Sequence, residues 1–316
     1  MVAAPEVCRE IASTGSALRC HAATGADDPS LRRHLDAAHV LYAPLGYSDL
    51  SRANVRQATL LVDFLHRDIA NGLPDAEVAN RERWVVETLV QSDLLQCNSR
   101  FVVDRLRHHY GDVTTPTVVV YNAVGLERPV RDGVAPEPPY FFYPANDWPH
   151  KNHDRLLQAY ARYRAREPEP WRLKLSGHFA AEDSIRGRIS ELRIDTWVDV
   201  LGHLPAGGFA RVFSHAGALF FPSRYEGFGI PVLEAFRLGV PVACSRAASL
   251  PEVGGEACDY FDPADIDSIA QAMQRLATDF ARRRELIAAG IEQAKRFDLS
   301  RESGKLAEAF FALGRS

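Results

Sequence analysis

Two glutamates eight residues apart, Glu226 and Glu234, bracket a Gly-Phe-Gly turn and a proline in RYEGFGIPVLEAFRLGVP. Gly227 and Gly229 allow the backbone to approach a ligand closely or to adopt positive φ. Pro231 suits the first helical position, where its missing N–H costs nothing, and Gly239 followed by Pro241 ends the helix. A glycine turn feeding a helix N-terminus presents free amide N–H groups, which is an anion site. The expected helix spans two turns and places Glu234 in its first. The carboxylates then have two readings: helix-dipole partners worth ~0.3–1 kcal/mol, or the two ends of a grip on a charged ligand. A matching cation lies upstream, Lys151 in NDWPHKN. Only four of the 37 basic residues are lysines, leaving 33 arginines. Arginine is this chain's default cation, so a lysine here reads as a compact point charge.

Positioning such groups needs a scaffold. From about residue 139, short apolar runs (YFFYP, WRLKLS, WVDVLG, ALFFPS, VPVACS, CDYFD) alternate with helical segments such as HDRLLQAYARYRARE. That alternation predicts a parallel sheet covered by helices, with ligands at the carboxyl ends of its strands. The first 130 residues are also α/β: AHVLYAP, TLLVDFLH, LLQCNS and TVVVYN read as strands, RERWVVETLV and RFVVDRLRHHY as helices. MVAAPEVCREIAS reads as a helix, and the isolated Gly15 and Gly25 leave residues 1 to 57 without a strand–glycine-loop pair. A reduced first domain follows. RDGVAPEPP is the expected linker. The chain divides into an acceptor-side domain over 1–134, a ligand-binding domain over 135–300, and a C-terminal helix over 301–316 packing back on the first domain.

Composition narrows the function. With 316 residues, 46% hydrophobic and 25% charged, the chain can bury two cores. A net charge of −4 argues against nucleic-acid binding. No apolar run reaches the roughly 18 residues of a membrane span, and the N-terminus has no signal-peptide pattern. Five scattered cysteines form no CxxC pair and three sit in apolar stretches such as VPVACS as buried hydrophobes, so metal or disulfide roles are not expected and a reducing cytoplasm is.

Glu226-Gly-Phe-Gly-Ile-Pro-Val-Leu-Glu234 resembles the E-x7-E signature of retaining glycosyltransferases of family 4, which have the GT-B fold. PYFFYPANDWPHKNHDRLLQAY resembles the opening of the donor domain in a mannosyltransferase-like branch. VDVLGHLP, ASLPEVGGEACDYFDPAD and VVVYNAV also match in order. The resemblance covers roughly residues 58 to 300. It implies two Rossmann-like domains whose parallel sheets face a cleft. It further implies that Glu234 holds the ribose of a nucleotide sugar, that Glu226 contacts the donor sugar, and that Lys151 neutralises the departing diphosphate. The amides of Gly227, Phe228, Gly229 and Ile230 would face sugar and diphosphate, with Asn146 beside them. His66 in LVDFLHRD would be the first domain's catalytic group, although Arg67 separates it from Asp68 where relatives carry a His-Asp pair. Ala145 stands where many relatives have a second cation, and Arg224 is the suggested replacement.

The implied reaction is sugar transfer with retention from a nucleotide-diphosphate sugar to an acceptor hydroxyl on a glycan, glycolipid or natural product. No metal or other cofactor is expected. The alternative is a weakly active glycosyltransferase-like subunit that binds nucleotide or a partner enzyme. Peripheral contact with the inner membrane face and homo- or hetero-oligomers fit either. An oxidoreductase is excluded because no GxGxxG follows a strand. Three weaker signals have plain readings. Asp265-Ile-Asp267 spells DxD but sits where acids cap a helix. Ser99 is an N-cap or a cleft residue. The cluster of Arg100, Arg105, Arg107, His108 and His109 is a solvated helix face or a contact for an anionic lipid acceptor.

Overall fold

The computed structural model describes residues 2–3, 21–22, 38–44, 55–70, 72–125, 138–179 and 182–315. Near the N-terminus β1 (Val2–Ala3) pairs in parallel with β2 (His21–Ala22). Val2 and Ala3 were expected in a helix and are instead a strand. The rest of that segment, with Cys8, Gly15, Cys20 and Gly25, lies outside the described residues, as does most of the linker.

Four further strands, β3 (Val40–Ala43), β4 (Arg56–Leu61), β5 (Leu94–Cys97) and β6 (Thr117–Val119), form a parallel sheet in that order. Its helices are α1 (Leu65–Asp68), α2 (Asp75–Gln91) and α3 (Arg100–Tyr110). β4 stops earlier than the run TLLVDFLH suggests. Phe64 is buried with Leu61, Val85 and Leu95 and Leu65 with Leu73 and Tyr225, and the chain turns helical at Leu65.

The second sheet contains β7 (Tyr140–Pro144), β8 (Arg172–Ser176), β9 (Val198–Gly202), β10 (Ala218–Phe221), β11 (Val242–Ser245) and β12 (Cys258–Phe261). All pairs are parallel, in the order β12-β11-β10-β7-β8-β9. The connecting helices are α4 (His153–Arg166), α5 (Glu182–Glu191), α6 (Ala206–Ser214), α7 (Ile230–Leu238) and α8 (Leu250–Gly254). β10 and β11 are buried along their whole length, as a sheet covered on both faces requires. Phe141 and Phe220 meet edge to face at 4.8 Å within this core. Cys97, Cys244 and Cys258 are free and buried.

Three helices finish the chain: α9 (Ile266–Thr278), α10 (Phe280–Ala294) and α11 (Leu299–Leu313). On α11, the Phe310 ring lies 5.1 Å from Tyr42 of β3, and the Glu302 carboxylate accepts from the Tyr121 amide at 3.0 Å. Among the described residues no helix is long and apolar enough to cross a membrane.

Candidate active site

Strand order sets the site. From the central pair β7 and β10, the sheet grows outward in opposite directions, to β8 and β9 on one side and β11 and β12 on the other. Ligands bind outside the carboxyl ends of the strands at such a switch point. Lys151 ends the 3-10 turn Pro149–Lys151 that follows β7, and Glu226 lies in the loop that follows β10. The two meet there: Lys151 Nζ donates to Glu226 Oε1 at 2.6 Å.

The lysine turn is stitched in place from both sides. Tyr143 OH donates to the Lys151 carbonyl at 2.6 Å, and the Arg224 amide donates to the His150 carbonyl at 2.8 Å. Asn152, at φ 65°, donates through Nδ2 to the carbonyls of Pro222 and Pro263 at 3.1 and 2.9 Å. A lysine on so fixed a backbone is preorganised as an electrostatic group.

The glycine turn is equally constrained. Gly229 sits at φ 102° immediately before α7, with Leu250 packed where a Cβ would stand. Ser249 Oγ lies 2.9 Å from the carbonyls of both Glu226 and Phe228. Gly227 abuts the first domain, where a Cβ would overlap the Val62 carbonyl. Ser99 unites its two expected roles: its hydroxyl accepts from the Val102 amide at the head of α3 and donates to the Gly227 carbonyl at 2.6 Å. The Phe228 side chain is buried against Tyr121 and Phe297, so only its backbone can face a ligand. Ile230 is exposed at the start of α7.

Glu234 is the fifth residue of α7, beyond the first turn where the sequence placed it. The helix begins at Ile230 directly after the positive-φ glycine, which moves Glu234 away from the end that would favour it as a dipole partner. No donor or cation meets its carboxylate among the described residues. Burial pushes its pKa up to about 6.

Lys151, Glu226, Gly227 and Asn146 line a cavity of about 200 Å3 together with Asp63 and Arg81 from the first domain. Asn146 is oriented by accepting from the His178 amide at 2.8 Å. Arg81 pairs with Glu77 at 2.9 Å and with Asp63 at 3.4 Å, and is a second cation beside Lys151. Arg224, the suggested second cation, instead donates to the Pro149 carbonyl at 3.2 Å and lines a different cavity. Buried His150 also borders the Lys151 cavity. Burial, with Lys151, Arg81 and Arg224 nearby, pushes its pKa down to about 3, so it carries no charge.

His66 is not brought to this cavity. It lies buried in α1 with Nε2 3.3 Å from a Glu82 carboxylate oxygen. Burial lowers its pKa, against the opposing pull of Glu82 and Asp63. Because β4 ends at Leu61, Val62 and Asp63 emerge at the cleft in its place. Arg67 pairs with Glu82, and Asp68 with Arg105 and His109. Two members of the expected solvated basic cluster are thus turned inward, while Arg107 and His108 remain exposed. Asp265 caps α9 by accepting from the Asp267 amide, and Asp267 pairs with Arg162 at 2.6 Å.

Sequence reasoning missed Asp63 and Arg81. Asp63 was hidden inside an apparent strand, and Arg81 in a polar helical stretch whose sole signal is the Glu77–Arg81 spacing.

A family model described as "Glycosyl transferases group 1" matches residues 128–293. The O-antigen chain mannosyltransferase B of Escherichia coli is 37% identical over 159 residues, which are 50% of this chain and 42% of that protein. The MMP alpha-(1->4)-mannosyltransferase of Mycolicibacterium hassiacum is 35% identical over 134 residues, 41% of this chain and 32% of that protein. The chain therefore spans less than half the length of these two relatives. Among solved structures, Anabaena HepE in complex with UDP and glucose superposes with a TM-score of 0.72 at 15% identity, covering 96% of this chain and 88% of that one. Sucrose-phosphate synthase from Thermosynechococcus elongatus gives 0.70 at 21% identity, covering 83% and 69%. The shared architecture is GT-B.

Proposed function

The chain belongs to the group 1 glycosyl transferases, and from that membership we propose that it moves a sugar from a nucleotide-diphosphate sugar to an acceptor hydroxyl with retention. The names of its relatives favour mannose as the sugar. The observation that carries the reading is the Lys151–Glu226 pair, 2.6 Å apart at the switch point beside the N-terminus of α7.

In the resting chain Glu226 holds the ammonium in place. An arriving diphosphate shares that ammonium, which has three donors to give, and takes the free amides at the head of α7. Glu226 then turns an acceptor oxygen to the sugar hydroxyls. The acceptor oxygen bonds to the anomeric carbon as the bond to the diphosphate breaks, and the acceptor proton passes to the departing phosphate oxygen. Negative charge grows on the diphosphate during this step, so Lys151 and Arg81 bind the transition state more tightly than the ground state. Glu234, a half-buried carboxylate without a partner among the described residues, is the acceptor for the ribose hydroxyls.

The test is transfer by the purified chain from GDP-mannose, UDP-glucose and related donors, with the anomeric configuration of the product read by NMR. A product of retained configuration supports the reading. Nucleotide binding without transfer from any donor favours the weakly active subunit.

A further inference from the structure

A second cavity, about 650 Å3, lies between the start of α4 and α5. Its volume falls within the roughly 300–1,000 Å3 range of ligand sites, which the Lys151 cavity does not reach. Two of its lining side chains carry buried polar atoms with no partner, His153 Nε2 and Arg224 Nε. His153 is only 8% exposed, and its ring is fixed between Tyr143 at 4.8 Å and Phe179 at 5.8 Å. Its other nitrogen engages the Ala145 carbonyl, and burial holds the ring neutral with a pKa near 4. Nε2 is therefore a fixed acceptor, and Arg224 Nε a fixed donor. A hydroxyl both donates and accepts, so it can pair with either atom.

The charges of the cavity cancel. Arg155, Arg188 and Arg224 face Asp147, Asp154 and Glu191, and Arg188 already pairs with Asp154 at 2.7 Å and Glu191 at 2.8 Å. An anion would select an excess of cations; a neutral polyol is served by interleaved donors and acceptors. Trp148, 41% exposed, lines both this cavity and the Lys151 cavity. An exposed indole at that junction offers a flat apolar face for the C–H face of a sugar ring while its N–H stays free to bond.

We propose that this cavity is a subsite for an oligosaccharide acceptor, whose chain crosses Trp148 so that its terminal hydroxyl reaches the Lys151–Glu226 cavity. The proposal rests on the transfer reading and names its acceptor class: a glycan chain rather than a small natural product.

Calorimetry on the full chain without donor tests it, using mannotetraose, maltotetraose and cellotetraose, each against its monosaccharide. At least one tetraose should bind tenfold or more tightly than its monosaccharide. Arg155→Ala, outside the Lys151 cavity, should weaken that tetraose tenfold or more with GDP and UDP affinities unchanged, and Trp148→Ala should weaken the tetraose by at least as much. Three results would overturn the subsite: no tetraose outbinding its monosaccharide, variants binding it as the parent does, or inorganic phosphate occupying the cavity. Failure of the parent to bind any nucleotide would count against the transfer reading, and the tetraose comparison, which needs no donor, still decides the subsite.

Discussion

At the scale of single residues, Glu234 and Lys151 have opposite relations to the fold. Glu234 is half-buried without a donor, so the folded chain keeps its proton up to about pH 6 while the unfolded chain releases it near 4.5. Stability should fall as pH rises between these values, by about 2 kcal/mol in total. Glu234→Gln should flatten that slope and be more stable than the parent at pH 7, by up to about 2 kcal/mol. Urea unfolding from pH 4 to 7.5 measures both. The same change should weaken nucleotide binding by about 1.5–3 kcal/mol, the worth of a charged hydrogen bond. Nucleotide affinity of the parent should likewise drop as pH falls below about 6, because a protonated carboxyl accepts poorly. Equal affinity in parent and variant by calorimetry would remove Glu234 from the ribose. Lys151 differs because Glu226 already satisfies it. Removing one partner of so buried a pair leaves the Glu226 carboxylate uncompensated, so Lys151→Ala should lower the melting temperature and, in the chain that remains folded, lower kcat by about 10²–10³. Transfer should persist in excess EDTA, since the proposed chemistry draws its positive charge from side chains. Strict dependence on magnesium would contradict it.

At the scale of elements, the glycine turn packs directly against the chain leaving β4, Gly227 against the Val62 carbonyl. Gly227→Ala should force either the Val62 carbonyl or the turn itself to move, because the added Cβ has no space. Transfer should fall at least tenfold while far-UV circular dichroism is preserved; unchanged kinetics would show that the contact is dispensable. This turn was legible in the sequence because glycine, proline and paired carboxylates at fixed spacing have few other uses. The second sheet was legible for a related reason: strands buried on both faces, such as VACS, are continuous apolar runs punctuated by glycine and proline. Elements in which local signals conflict were missed. The helix α6 carries Gly207 and Gly208 in its first turn, which depresses the helical signal. TLLVDFLH reads as one strand because an apolar run cannot tell a buried strand from a buried helix start. The sheet ends at Leu61, and that boundary decides that Asp63 rather than His66 reaches the cavity. The register of Glu234 on α7 failed similarly, by the one residue by which Ile230 rather than Pro231 opens the helix.

At the scale of the molecule, the cavity exists only while the first domain holds Asp63 and Arg81 against the Lys151 side. Phe64 and Ser99 each make one bond across, to Tyr225 OH at 3.1 Å and to the Gly227 carbonyl. Glu252, at the head of α8, makes several. Its carboxylate accepts from the amides of Arg100 and Phe101 at 2.8 and 3.0 Å and from Tyr121 OH at 2.9 Å. A carboxylate from one domain thus caps the helix α3 of the other, where the helix dipole favours negative charge. Closure of two domains around a donor excludes water and completes the catalytic set. Glu252→Ala should therefore act on geometry more than on folding. The freed amides lie near the surface and water can take them, so the stability cost should resemble that of an ordinary cap, about 0.5–2 kcal/mol. The nucleotide, on the proposed reading, is gripped by Lys151, Glu234 and the head of α7, all in the second domain, so its Kd should stay as in the parent. The radius of gyration from small-angle scattering should rise, and kcat should fall tenfold or more, because Arg81 no longer stands opposite the departing diphosphate. If nucleotide affinity instead falls in step with kcat, Glu252 acts by supporting the glycine turn from within its own domain, and the cap across the cleft is incidental to transfer.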